Sequence, residues 1–204
     1  AIQPNTWRET LRTVERLAAQ GLKIVPQVPC RPTGMLFGLQ SSFHPFLFHP
    51  TYARELAELP LAERVARMRD PNVRARILSE ELQHENPVVR MIATNWAQMF
   101  PLNDPPDYEP APETSVAAIA ARDGKRPEEV VYDMLLERDG KQFVFAPLAN
   151  YVDCNFDALR EMMLHPNTVQ GLSDGGAHCG LICDASMPTF LLTHWVRDRK
   201  RGER

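Results

Sequence analysis

An amphipathic helix followed by a short apolar run occurs once near the start of this chain and twice towards its end, and the long middle breaks that rhythm. Repeated helix-then-strand order is the building unit of α/β folds and predicts a parallel sheet with helices packed on it. In the first unit Trp7, Leu11, Val14, Leu17 and Ala18 recur at helical spacing through Gln20. Thr6 with Glu9 fits a capping box. Gly21 is placed to end the helix, and residues 22–28 read as a strand. Pro26 lies inside that run and predicts a bent or irregular strand end.

The later units follow the same grammar. Helices are expected over 115–122 and 126–139, separated by Gly124. Pro127 suits a first turn, and Glu128 and Glu129 suit the positive end of the dipole. Gly140 stops the second helix, and residues 142–146 form the next strand. A helix over 153–163 then leads through His165-Pro166-Asn167 into an apolar run, residues 168–172, read as a short buried strand.

Between residues 36 and 112 the alternation is lost. Residues 43–50 are rich in Phe, His and Pro, and short helices follow over 51–59, 61–69, 72–84 and 88–99, punctuated by Pro60, Pro71, Pro87 and Pro101. A strand-to-helix connection rarely needs so much chain, so this stretch reads as a helical insertion. The expected division is therefore 1–35, 36–112 and 113–204. His44 and His49 are five apart with a proline beside each, which does not put both rings on one helix face; aromatic packing or substrate lining fits them better than metal ligation. His84 is expected at a helix end, and Trp96, Met99 and Phe100 in the core. Residues 101–110 form a proline-rich connector back to the α/β part.

The run at 168–172 ends in Ser173-Asp174-Gly175-Gly176-Ala177-His178. This sharp turn leaves a carboxylate at a strand's C-terminal tip, which in a (β/α)8 barrel is the catalytic face. An Asp there can bind a metal and take a proton from metal-bound water, or it can simply cap the following segment. The other strand tips offer Arg31, either a bidentate partner for a substrate carboxylate or a surface loop arginine with a salt-bridge partner. They also offer Asn150 and Tyr151, which can hydrogen-bond a substrate or, for Asn150, cap a turn. Cys30 reads as a buried structural cysteine. Asp184, Ser186 and Thr189 read as loop or capping residues and His194 as a packing histidine. No serine sits in a Gly-x-Ser-x-Gly elbow.

Gly171-Leu-Ser-Asp-Gly-Gly-Ala-His178, followed by Ile182-Cys-Asp-Ala-Ser186 and Leu192-Thr-His-Trp-Val-Arg-Asp-Arg199, resembles the amidohydrolase superfamily, and within it the N-acyl-D-amino-acid deacylase (D-aminoacylase) branch. The resemblance implies the C-terminal part of a TIM (β/α)8 barrel, with 22–28, 142–146 and 168–172 as strands six to eight and 36–112 as a lid-like insertion. It implies metal-dependent hydrolysis of a linear amide, with one or two zinc ions in the full-length enzyme. Asp174 would be the metal-binding proton shuttle. His178 matches the substrate-holding His of an Asp-x-x-x-His pattern, or is a packed loop histidine. The family's His-x-His is not in this sequence, so the chain is expected to be a fragment, inactive alone. A cyclic-amide hydrolase of the hydantoinase or dihydroorotase kind, and a metal-free non-catalytic relative, are the alternatives.

Composition narrows the partners. A net charge of −3 over 204 residues argues against nucleic acid, and no apolar run approaches the roughly 18–20 residues of a membrane span. The four cysteines form no paired zinc motif, and free thiols in a reducing, cytoplasmic setting are expected.

Overall fold

The computed structural model describes residues 6–151, 153–172, 180–182 and 184–200. The chain is mixed α/β, mainly helical with a few short strands, and divides into two compact units: residues 1–34 with 147–204, and residues 35–146. Residues 113–146, grouped by sequence with the α/β part, fall in the second unit because their two helices pack on each other and on helices of the middle stretch.

In the first unit, helix α1 (Thr6–Ala19) buries Leu11 and Val14. It ends in a Schellman motif: Gly21 at φ +83° donates to Ala18 O, and Leu22 N–H donates to Leu17 O. The strand expected over 22–28 shortens to β1 (Gln27–Val28), and Leu22, Ile24 and Val25 are 50 %, 42 % and 55 % exposed. Proline has no N–H to give a ladder, so Pro26 acts only as an acceptor at the strand's entry. β1 pairs in parallel with β5 (Val169–Gln170), with Gln27 opposite Val169. The expected buried strand at 168–172 is likewise shorter and more open: Val169 and Leu172 are exposed. Apolar composition set that expectation, and composition does not say which face is covered. Helix α8 (Asp157–Leu164) starts later than expected, after Asn155 accepts from Asp157 N–H. Helix α9 (Met187–Phe190) continues into a π-helical segment, Leu191–Asp198.

Most of a three-stranded sheet lies in the second unit, in the order β2 (Thr33–Phe37), β4 (Val144–Ala149), β3 (Phe100–Pro101). β3 is antiparallel to β4, with Phe100 opposite Phe145. β2 and β3 carry no clear strand signature. Gly34 and Pro101 weaken both runs, and two residues give no periodicity to read. The expected strand at 142–146 thus appears as β4 between β2 and β3, while β1 and β5 pair directly with each other.

Helices α2 (Pro50–Glu55), α3 (Leu61–Met68), α4 (Pro71–Ser79), α5 (Pro87–Thr94), α6 (Val116–Asp123) and α7 (Pro127–Gly140) complete this unit. Pro50, Pro71, Pro87 and Pro127 each open a first turn, where the missing N–H costs nothing. Asp70, Asn86 and Ser115 cap α4, α5 and α6 through side-chain oxygens. α4 stops before the expected residue 84 because Glu80 turns extended, and its carboxylate accepts from both Thr51 N–H and Thr51 Oγ1–H in the first turn of α2. The Arg64 guanidinium donates to the carbonyls of Leu39, Leu56, Ala57 and Leu59 and to Tyr52 Oη, tying two loop segments and α2 to α3. Tyr132 of α7 donates to Met68 O at 2.9 Å and meets Phe46 edge-on at 5.1 Å.

His44 sits inside this packing, 1 % exposed, edge-on to Tyr52 at 4.5 Å. Phe46 N–H donates to its Nδ1, so the neutral ring carries its proton on Nε2. Burial first, then the positive charge of Arg64 and the neighbouring His49, push the His44 pKa down to about 3. The folded state therefore refuses a proton that the unfolded chain accepts near its ordinary value of about 6.5. The stability His44 supports is full above that value and is lost as the pH falls towards about 3. His49 is shifted in the same direction, chiefly by burial.

We expect the unfolding free energy, measured in urea, to fall through this window with a slope of up to about 1.4 kcal/mol per pH unit from His44. His44→Phe should remove one proton's share of that slope, and an unchanged pH profile would contradict the assignment. A second test lies at Gly140, where φ is +78° and an added Cβ would stand 2.5 Å from Val65 Cγ2. At Gly124, φ +64°, nothing lies within 4 Å. Gly124→Ala should cost about 1 kcal/mol, and Gly140→Ala roughly 1–3 kcal/mol more from overpacking, read as shifts of the urea midpoint.

Candidate functional site

Parallel pairing puts the C-terminal ends of β1 and β5 side by side. Val169 N–H donates to Pro26 O and Gly171 N–H to Val28 O, both at 3.0 Å. The segment leaving β1 (Pro29-Cys30-Arg31) and the segment leaving β5 (Gly171-Leu172) therefore start from the same edge of the pair. Leu172 holds φ +75°, a left-handed conformation that a leucine rarely adopts.

A cleft of ≈ 210 Å³ opens there. Cys30 lines it from the β1 side, and Gln170, Gly171 and Leu172 from the β5 side. Met187 and Pro188 of α9 and Leu191 of the π-helical segment complete the lining. The Cys30 thiol donates to Met187 O at 3.0 Å, and Trp195 Nε1–H donates to Cys30 O at 2.6 Å. Burial raises the thiol pKa, and the nearby Arg31 charge only partly opposes it. Cys30 is thus a protonated, apolar wall residue at neutral pH, as the sequence suggested.

Arg31 is 1 % exposed, which corrects its reading as a surface loop arginine. Its Nη2 donates to Ser186 Oγ at 3.0 Å, and the guanidinium lies 5.5 Å from the Phe190 ring centre. It lies outside the lining of the cleft. The sequence showed its position after a strand but gave no sign of Ser186 as partner, because the two are separated by most of the chain.

Asn150 follows β4 at φ +63°, a left-handed position that asparagine tolerates, in keeping with a turn residue. Tyr151 is 2 % exposed and packs edge-on against Phe156 at 5.7 Å. Both lie outside the lining of the cleft. Asp174 and His178 lie outside the described residues.

Aromatic packing supports the cleft from behind. Phe156 stacks on Trp195 at 5.8 Å, and Phe190 stacks on His194 at 4.5 Å. The Arg199 guanidinium lies over Trp195 at 4.6 Å and pairs with Asp157 at 3.1 Å. Trp195 and Phe156 were not singled out by sequence as part of a site. Their signal, an aromatic just ahead of one helix and another within a helical segment, is no different from that of ordinary core.

Among the described residues, no group of three or more His, Cys, Asp or Glu side chains could hold a metal ion. No described helix is long and apolar enough to cross a membrane. No family model matches the chain, and neither a curated protein nor a solved structure matches it.

The thiol makes this geometry testable. At pH 8 in native protein, iodoacetamide should alkylate the Cys30-containing peptide far more slowly than in urea. Trp195→Phe, which deletes the bond to Cys30 O, should speed the native reaction. Equal native and urea rates, followed by peptide mass spectrometry, would refute the buried placement of Cys30.

Proposed function

We propose that this chain supplies C-terminal strands of an amidohydrolase-type (β/α)8 barrel and contributes Asp174 to a metal-dependent hydrolase of linear amides, of the N-acyl-D-amino-acid kind. The supporting observation is the parallel β1–β5 pair, whose shared C-terminal edge leads on one side to Cys30 and Arg31 and on the other into Ser173-Asp174. Such barrels place their catalytic groups at the C-terminal tips of parallel strands; the direct β1–β5 pairing, with residues 142–146 in the other sheet, departs from the six-seven-eight order that the resemblance implies.

Among the described residues no cluster of three donors occurs, and the carboxylate at 174 would be one of the three protein ligands a catalytic zinc takes. In this reading further donors come from polypeptide outside these 204 residues. Bound zinc supplies a water of lowered pKa and a polarised carbonyl. In this reading the Asp174 carboxylate accepts a proton and returns it to the leaving amine. In the same reading His178 orients the substrate.

The test is the reading frame that contains this chain. Translated upstream of Ala1, it should carry an in-frame His-x-His after a strand. The protein it encodes should hold stoichiometric zinc and hydrolyse N-acetyl-D-amino acids, whereas the 204-residue chain alone should hold none. Asp174→Asn should lower kcat of that longer protein by at least about 100-fold. A longer protein without zinc, or an Asp174→Asn variant with unchanged kcat, would overturn the proposal. Activity restricted to cyclic amides would replace the substrate class.

A further inference from the structure

We propose that the cleft between the β1–β5 edge and α9 is a binding pocket for an uncharged apolar group of about phenyl or branched-alkyl size. The proposal rests on the amide-hydrolase reading only for what the rest of the ligand is; the pocket itself is argued from its walls.

None of the described lining residues is charged. Leu172, Met187, Pro188 and Leu191 give aliphatic or thioether surface. Cys30 adds a thiol whose proton is committed to Met187 O and whose ionisation burial opposes. A cation or carboxylate entering this cleft would lose water and find no countercharge among these described walls, which is costly. A neutral apolar group loses only unfavourable hydration.

Size points to the same occupant. An apolar cavity of about 150 Å³ is known to admit benzene, so ≈ 210 Å³ accommodates one ring or a short branched chain but not a helix or a peptide strand. The pocket also has polar atoms where such a group would join the rest of a molecule. The Gln170 side chain and the Gly171 backbone lie at the strand edge, beside the segment that continues into Ser173-Asp174. Side chain at 171 is excluded on the other side too: a Cβ there would stand 3.1 Å from Gln27 atoms.

Benzamide and its cationic isostere benzamidine provide the discriminating pair of probes. Methyl-labelled methionine in the 204-residue chain reports binding through the Met187 ε-methyl resonance, with no need for metal or turnover. Benzamide should shift that resonance saturably, and benzamidine should shift it at least tenfold less at equal concentration. Leu191→Trp, which fills the cleft, should abolish the benzamide shift while leaving the Met68 and Met99 resonances in place. Should that variant fail to fold, Pro188→Phe at an exposed wall position serves the same purpose.

Equal shifts with both probes, or no shift with benzamide in a folded protein, would overturn the proposal. A Met187 resonance that moves with protein concentration and not with benzamide would also overturn it, since a second copy of the chain would then fill the cleft. Failure of zinc binding in the longer protein leaves this result intact, so the two readings fail separately.

Discussion

Two backbone hydrogen bonds, Val169 N–H to Pro26 O and Gly171 N–H to Val28 O, fix the geometry on which the first unit depends. They set the direction and register of β1 against β5. A slip of one residue would turn Leu172 and Val28 to the opposite faces and take the cleft apart. A two-residue parallel ladder is weak alone, because short sheets need packing against other elements. Here it is held by the thiol of Cys30 on Met187 O and by Trp195 on Cys30 O, which tie the exit of β1 to α9 and the π-helical segment. Pro26 fits this scheme because it is asked only to accept.

The second unit rests on a different device. Arg64 donates to four carbonyls and one hydroxyl, so a single part-buried charge fixes the irregular stretches at Leu39 and at Leu56–Leu59 on either side of α2. Charge-assisted bonds of this kind are stronger than neutral ones. The same charge explains part of why His44 stays neutral beside it. Glu80 performs the complementary task at the other end of that stretch, receiving the free N–H of Thr51 at the start of α2. Polar groups on α3 and after α4 thus fix a loop region whose own sequence is mostly Phe, His and Pro.

Local signals in the sequence carried the helices well. Proline at first turns and Gly21 as a stop act within a few residues, so they can be read without the fold. The strands were less legible. β1, β3 and β5 have two residues each, and their existence depends on partners distant in the chain. The end of α4 was misplaced for the same reason, since Glu80 leaves the helix to serve Thr51. At the candidate site, Cys30 was legible as a buried thiol. Arg31 was legible by position but not by partner, and Tyr151 proved to be packing against Phe156. Met187 lines the cleft and Trp195 holds Cys30 O, yet nothing in their spacing separates them from core. Asp174 and His178 stand outside the described residues, and their roles rest on the resemblance and on the strand edge that leads to them.

The most direct test of this account is the detection of scalar couplings across the β1–β5 hydrogen bonds by a long-range HNCO experiment on the labelled chain. The account predicts cross-peaks joining Val169 N to the Pro26 carbonyl carbon and Gly171 N to the Val28 carbonyl carbon. Cross-peaks in an antiparallel or shifted register would contradict it, because the segments that follow Val28 and Gln170 would then leave from different edges of the pair.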